Sequence, residues 1–501
     1  MRLLFSHHPP CKNWQKTLIF FFLIGLSQPG LAAEESIDEL MHGFDDPAPK
    51  SNTTPNADGN DSSGTTNTEF DDLLEGFDDS PNEPNTLTSN TEIIEKTEQK
   101  WDLTTLMSLS SSYNYQQVKP LPGAPDFRGL SRLKLKVVPE LRYKFNSQWD
   151  SVFSAIGFYD MSYYIKDRSK YTDETLDSNE TELEVRELYF RGTLSNSLDV
   201  KIGRQIVVWG KSDSLRVVDV LNPLDFREPG MVDIEDLRLS VTMAKLDYYT
   251  GDWNISAIVI PEIRFNKMPP YGSDFYLAGN NPPITEIIPD DVTNPEYALA
   301  FIGNFSGWDL SLHFADYYDD QPHFVKQTGT APRLEHSRLN MAGAAANYVT
   351  GSWLYKSEIA YIDGLQFSIG NKKFSRADAM VGIDYNGIAD MIFSIETLNR
   401  YITNYDIILN NAIDNTKENE NQVSFRYSAN FIRDKLQLMI LTTFFGKSPN
   451  DGGFYRGWLD YEIDDGMSII VGGIIYQAGE GQLLKSLARN DRVFIDYRYT
   501  F

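Results

Sequence analysis

The sequence predicts an all-β protein: a transmembrane antiparallel β-barrel of 16–18 strands behind a disordered, acidic N-terminal periplasmic tail. Three observations predict it. The last eleven residues alternate without a break, with Val493, Ile495, Tyr497, Tyr499 and Phe501 on one side and Arg492, Asp496, Arg498 and Thr500 on the other. Period two over this length is a strand with one apolar and one polar face, and an aromatic terminus suits a closing strand that faces lipid. At the other end, Arg2, Lys12 and Lys16 precede the apolar run Leu18–Leu26 and a small-residue site at 30–33, the layout of a signal peptide over 1–33. The run is too short to span a bilayer as a helix, and no other stretch is apolar enough. Third, the chain is 13% aromatic yet polar on average, as when lipid-facing and lumen-facing residues alternate.

Between these ends the strand-like segments recur at 103–116, 129–145, 149–165, 182–194, 197–208, 237–250, 252–262, 296–306, 308–318, 337–349, 352–362, 374–385, 389–401, 420–432, 435–445, 454–463, 466–477 and 491–501. Short connections rich in Gly, Asn, Asp and Ser alternate with long polar ones. Short turns at one end and long loops at the other are the pattern of bacterial barrels. An even count puts both termini of the 101–501 barrel in the periplasm of an outer-membrane protein. The faces agree. In 129–145, Leu133, Leu135, Val137, Leu141 and Tyr143 alternate with Arg132, Lys134, Lys136, Glu140, Arg142 and Lys144. Such a ladder is prohibitive against a dry core and acceptable against water. The soluble alternative, a solvated sheet face, leaves the signal peptide and the loop alternation without a reason.

The net charge of −26 is unevenly placed. Residues 34–100 hold 18 acidic and 3 basic side chains, a net −15, with few apolar residues. That composition predicts disorder and argues against a nucleic-acid partner. One repeat interrupts the tail: 37–46 recurs as 70–79, with Ile37, Leu40, Met41 and Phe44 matched by Phe70, Leu73, Leu74 and Phe77. Spacing of i, i+3, i+4 and i+7 is one helical face. Helices this short are marginal alone, so the pattern suits a segment that folds in the groove of a periplasmic or inner-membrane transporter component. Chance similarity within acidic low-complexity sequence is the competing reading. The other expected partner is outer-membrane lipid.

The connection at 203–238 differs from the other loops because it mixes apolar residues, turn formers and charges of both signs. Folded into the lumen it would narrow the pore, with Arg204, Lys211, Arg216, Arg227 and Arg238 opposing Asp213, Asp219, Asp225, Glu228, Asp233, Glu235 and Asp236. The alternative is an outer loop whose charges pair with one another. Gly203-Arg204-Gln205, Trp209-Gly210, Asn222-Pro223, Asp225 and Arg238, followed by Pro261, resemble an outer-membrane barrel family long labelled a domain of unknown function. The resemblance is best over about 185–275, and the family is loosely similar to alginate-export-type porins. It implies an outer-membrane barrel without catalytic residues, whose relatives often accompany RND-type exporters of lipids or other hydrophobic compounds.

Enzyme readings are poor. The histidines stand at 7, 8, 42, 313, 323 and 336, none paired at helical metal-ligand spacing, and no nucleophile elbow, P-loop or dinucleotide fingerprint occurs. No cofactor is expected, and His313 reads as a wall residue. Cys11, the only cysteine, precedes the apolar run, so the mature chain has neither disulfide nor lipid anchor. Three functions remain open: a porin-like channel, the outer-membrane exit of an exporter that grips the tail, and a sheath around a separate electron carrier.

Overall fold

The structure, a computed structural model, describes residues 99–501 apart from 233, 277–280, 291–292, 327–328, 330, 413–414, 447–450 and 480–486. The expected signal peptide, the acidic stretch up to residue 98 and both copies of the repeat lie outside the described residues.

The strands are β1 (Trp101–Asn114), β2 (Gly129–Lys144), β3 (Trp149–Asp160), β4 (Thr181–Ser195), β5 (Leu198–Gln205), β6 (Val241–Thr250), β7 (Trp253–Ile260), β8 (Thr285–Ile287), β9 (Glu296–Phe305), β10 (Trp308–Tyr318), β11 (His323–Val325), β12 (Arg333–Glu335), β13 (Arg338–Thr350), β14 (Trp353–Gln366), β15 (Lys373–Ile388), β16 (Met391–Ile402), β17 (Asn419–Phe431), β18 (Leu436–Phe445), β19 (Gly453–Asp464), β20 (Met467–Gln477) and β21 (Arg492–Thr500). Eighteen of them form one antiparallel sheet in which each pairs with the next in sequence, β8, β11 and β12 being skipped. β1 also pairs with β21, Leu106 opposite Thr500 through Asn114 opposite Arg492, so the sheet closes into a barrel without an edge. Each of the eighteen segments expected from alternation is one of these strands.

The barrel is inverted in polarity relative to a soluble protein. Leu103, Leu109, Leu135, Leu141, Val493, Ile495 and Tyr497 are exposed, whereas Ser108, Ser112, Arg132, Ser154, Glu358 and Glu396 are buried. An apolar exterior is stable only in lipid, and the polar interior only in water or paired. Aromatic pairs ring the end with the short turns: Trp149 on Phe190 at 4.8 Å, Phe305 on Trp308 at 4.2 Å, Trp353 near Tyr385 at 4.5 Å, Phe393 near Tyr427 at 4.8 Å and Tyr499 on Phe501 at 5.2 Å. This is the belt that amphipathic rings make at a membrane interface. A Cβ at Gly192 would come within 2.1 Å of the Trp149 ring, so glycine there lets the indole lie flat on the wall.

Some boundaries differ from the expected ones, for local reasons. The strand expected to run to 165 stops at Asp160, whose carboxylate accepts the N–H groups of Leu133 at 2.9 Å and Ser162 at 3.0 Å and turns the chain into a short helix, Ser162–Ile165. The strand expected over 197–208 ends at Gln205, because Val207 N–H is already taken by the Asn222 side chain. The strand expected from 237 begins at Val241, since 234–237 is one turn of helix. A small sheet was not foreseen: β11 pairs antiparallel with β12, and β12 pairs parallel with β8. Three-residue strands from two different loops have no periodicity to read.

Candidate functional site

Residues 206–240, the connection between β5 and β6, fold around two buried polar side chains. Asn222 is fully buried; its Oδ1 accepts Val207 N–H at 2.9 Å and its Nδ2 donates to Leu239 O at 2.8 Å, tying both ends of the connection together. Leu239 N–H also donates to Pro223 O at 2.8 Å. Asp219, 4% exposed, accepts Trp209 N–H at 3.3 Å and Arg238 Nε at 3.0 Å, and pairs with Arg216 at 3.3 Å. Arg216 spends its other hydrogen bonds on the carbonyls of Asp219 and Asn222, at 2.7 and 2.9 Å. Backbone groups that leave a sheet need partners, and these side chains supply them.

The segment reaches two facing parts of the wall. On one side, Glu358 of β14 accepts the N–H groups of Lys211, Ser212 and Val218 at 2.5, 2.8 and 3.2 Å. Glu396 of β16 accepts those of Asp213 and Ser214 at 2.9 and 3.1 Å and the Ser212 hydroxyl at 2.7 Å. Lys356 bridges Asp213 at 2.6 Å and Asp384 at 2.7 Å, and Lys211 meets Asp309 at 2.9 Å. On the other side, Glu228 pairs with Arg132 and lies 3.7 Å from Lys134, both on β2. Arg227 pairs with Asp225 at 2.5 Å and Glu182 at 2.8 Å, and Tyr476 donates to Pro229 O at 2.5 Å. Arg204, at the root of the segment, meets Glu262 at 3.0 Å and Glu184 at 3.5 Å. β2 and β14 are the second and eleventh strands in a ring of eighteen, hence diametrically opposed. A segment bonded to both crosses the interior from wall to wall.

Its apolar side chains lie on a wall cleared for them. Trp209, Val217, Val218 and Leu221 form one core with Met243, Ile258, Ala300, Met341, Ala345, Ala360, Met380 and Leu398. At Gly343 a Cβ would stand 2.6 Å from Val218 Cγ1 and 2.9 Å from Ile359 O. We therefore expect Gly343→Val to lift 215–221 off the wall, read as new protease cleavage within 206–240, and to strain the β13–β14 pairing at Ile359 to a smaller extent. His313 lies against Trp209, their rings tilted at 43° with centroids 4.6 Å apart, and bonds Ser311 Oγ at 2.8 Å, in the wall.

Arg204, Lys211, Arg216, Asp219, Asp225, Arg227, Glu228 and Arg238 therefore all sit in close ion pairs, some within the segment and some to the wall. Asp236 is exposed; Asp233 and the side chain of Glu235 lie outside the described residues. Glu358, Glu396 and Lys356 escaped sequence reasoning. The available signal was their parity: in Lys356, Glu358, Ala360 and Ile362 one face of β14 changes from charged to apolar halfway along.

Burial raises the Glu228 carboxyl, but Arg132 and Lys134 outweigh it and hold the group well below the usual carboxylate range. With a depressed value in the folded state, its contribution is complete above the ordinary carboxylate value and is lost as pH falls through the lower one. Docking of 226–231 is thus expected to persist at about pH 4, and Glu228→Gln to loosen it at neutral pH. Hydrogen exchange of these amides reads both.

A closed antiparallel barrel with an apolar exterior, a polar interior and an inward-folded connection is an outer-membrane-type β-barrel protein. The chain belongs to the family described as "Protein of unknown function (DUF1302)", which matches residues 126–501. No curated protein matches the sequence. Among solved structures, OccAB2 of Acinetobacter baumannii is similar at 13% identity, over 80% of this chain and 98% of that one, with a TM-score of 0.48. The outer membrane protein OpdK of Pseudomonas aeruginosa is similar at 10% identity, over 80% and 99%, with a TM-score of 0.45. OmpF of Salmonella typhi is similar at 8% identity, over 80% and 97%, with a TM-score of 0.40.

Proposed function

We propose that the protein is a porin-like channel of the bacterial outer membrane whose lumen is narrowed by residues 206–240, with both chain ends and the short turns on the periplasmic side. The observation that carries this reading is the wall-to-wall span between Glu358 and Glu396 on one side and Arg132 and Lys134 on the other. Barrels of this strand number leave a water-filled interior, so a polar segment across it sets the bore. The test is current through the purified full-length protein in planar bilayers. Discrete openings support the channel, and a barrel that inserts without conducting removes it. The sheath reading fits less well, because the same segment occupies the space a carrier would need.

A second reading is favoured by the repeated apolar motif of the tail. In it the barrel is the outer-membrane exit of an exporter for lipids or other hydrophobic compounds, and Ile37/Leu40/Met41/Phe44 and Phe70/Leu73/Leu74/Phe77 are equivalent docking faces for a periplasmic partner. Two sites on one chain raise avidity through effective concentration, and the flanking acids make capture salt-sensitive. Changing Phe44 and Phe77 to Ala is expected to abolish capture of that partner by tail-peptide bait in a periplasmic pull-down, and to leave barrel assembly intact. Equal capture by wild-type and double-mutant peptides reduces the tail to a spacer.

A further inference from the structure

We propose that the lumen carries a binding site for a small organic or inorganic oxyanion, formed by Lys136, Arg186 and Arg498 around the hydroxyl of Ser108. The inference rests on the channel reading and gives it a solute class.

Antiparallel register places three of these residues in one row. Ser108 of β1 is opposite Lys136 of β2 and opposite Arg498 of β21, so all three side chains share the interior face. Two strand spacings separate Lys136 from Arg498, about 10 Å between their Cα atoms, with the small serine between them. Arg186 is the extra residue of a bulge in β4, where Val185 pairs with Ala155 and Glu187 with Ser154. Bulges re-aim side chains, and Arg186 acts electrostatically on Lys136, as does Arg498.

Almost every other cation facing the interior segment is matched to a carboxylate; these three are not. None of Lys136, Arg186 and Arg498 has an ion pair among the described residues, and all three keep solvent access. The acidic groups near this cluster include Glu187, next in sequence to Arg186, and Asp160, which acts on Arg132 and Lys134. Asp236 acts on Lys136 from the segment. Asp496, one row along from Arg498, acts on Arg132. Glu228 is shared by Arg132 and Lys134.

An independent feature points to a ligand at the same place. Ser108 is 4% exposed, and its Oγ has no hydrogen-bond partner among the described residues. A buried hydroxyl without a partner is costly, and one flanked by an ammonium and a guanidinium is a donor awaiting an acceptor. A carboxylate or phosphate oxygen is the acceptor that satisfies all of them: Arg498 and Arg186 as planar forks, Lys136 as a point charge and Ser108 from below.

The test is equilibrium binding, which does not need conduction. Detergent-solubilised full-length protein is titrated calorimetrically with succinate and, separately, with inorganic phosphate. Wild type is expected to bind at least one of them. A unit charge at about 4 Å in water is worth about fivefold in occupancy, so K136Q/R498Q should weaken binding at least that much. S108A should weaken it less, and D236N should tighten it. The heat-dependent gel shift of each variant establishes that its barrel is folded. Binding lost in K136Q/R498Q and strengthened in D236N supports the site. Binding by neither anion, or binding unchanged in folded K136Q/R498Q, overturns it. Current in bilayers separates the two claims: anion binding without conduction removes the channel and keeps the site, whereas conduction without anion binding does the reverse.

Discussion

Replacing residues 209–236 by a short Gly-Ser linker is expected to raise single-channel conductance by roughly threefold or more, since eighteen strands alone leave an open aqueous bore. Ion selectivity is expected to weaken in the same experiment, because the segment brings Lys211, Arg216, Arg227 and their partners into the path of the ions. The barrel should still assemble. Its eighteen strands pair with their neighbours in sequence and close through β1 and β21, and none of those pairings involves 209–236. The linker does strip cover from Met243, Ile258, Met341 and Leu398 on the wall. A gentler variant therefore accompanies it. Changing Glu358 and Glu396 to Ala removes the acceptors of five backbone N–H groups without touching the segment itself. Flickering between the wild-type level and a larger one is the expected record. Identical conductance and selectivity in the linker variant and the wild type would show that the segment lies outside the conduction path.

The second large effect is expected from Asp219→Ala. This carboxylate is buried and holds Arg238, whose side chain is 6% exposed, together with Arg216 and the N–H of Trp209. Removing one partner of a buried pair leaves an uncompensated charge, a loss of about 3 kcal/mol. That is about 150-fold in the ratio of docked to released segment. The loss falls on the segment rather than the barrel, because the residues that Asp219 touches lie at 209, 216 and 238. Rapid amide exchange across 207–222 with unchanged exchange in β13–β16 is the expected pattern. Uniform loosening of strands and segment together would mean that Asp219 supports the barrel as a whole. Asp219→Asn is the informative control: it keeps the acceptor for Trp209 but not the charge, and should fall between wild type and alanine.

What the sequence determined by itself was everything periodic or compositional. Alternation from Asp491 to Phe501 placed one apolar and one polar face on the closing strand, and the same signal recovered the other seventeen strands to within a few residues. It works because a strand's side chains take sides every second residue, and membrane and lumen demand opposite chemistry of those sides. The segment 203–238 also stood out, since no exposed loop needs so many apolar residues beside so many charges. Its partners were decided only by closure of the sheet. Nothing near position 212 announces that Glu358 and Glu396 will accept its backbone N–H groups, nor does anything near 228 announce Arg132. These contacts join residues about a hundred or more positions apart, and exist because the ring sets β2 opposite β14. The row of Lys136, Ser108 and Arg498 has the same origin. In sequence they are three unremarkable polar residues of three strands; register alone puts the serine between the two cations and leaves its hydroxyl buried. Periodicity tells a side chain which way to face, but which side chains it will meet there is set by pairing across the whole barrel.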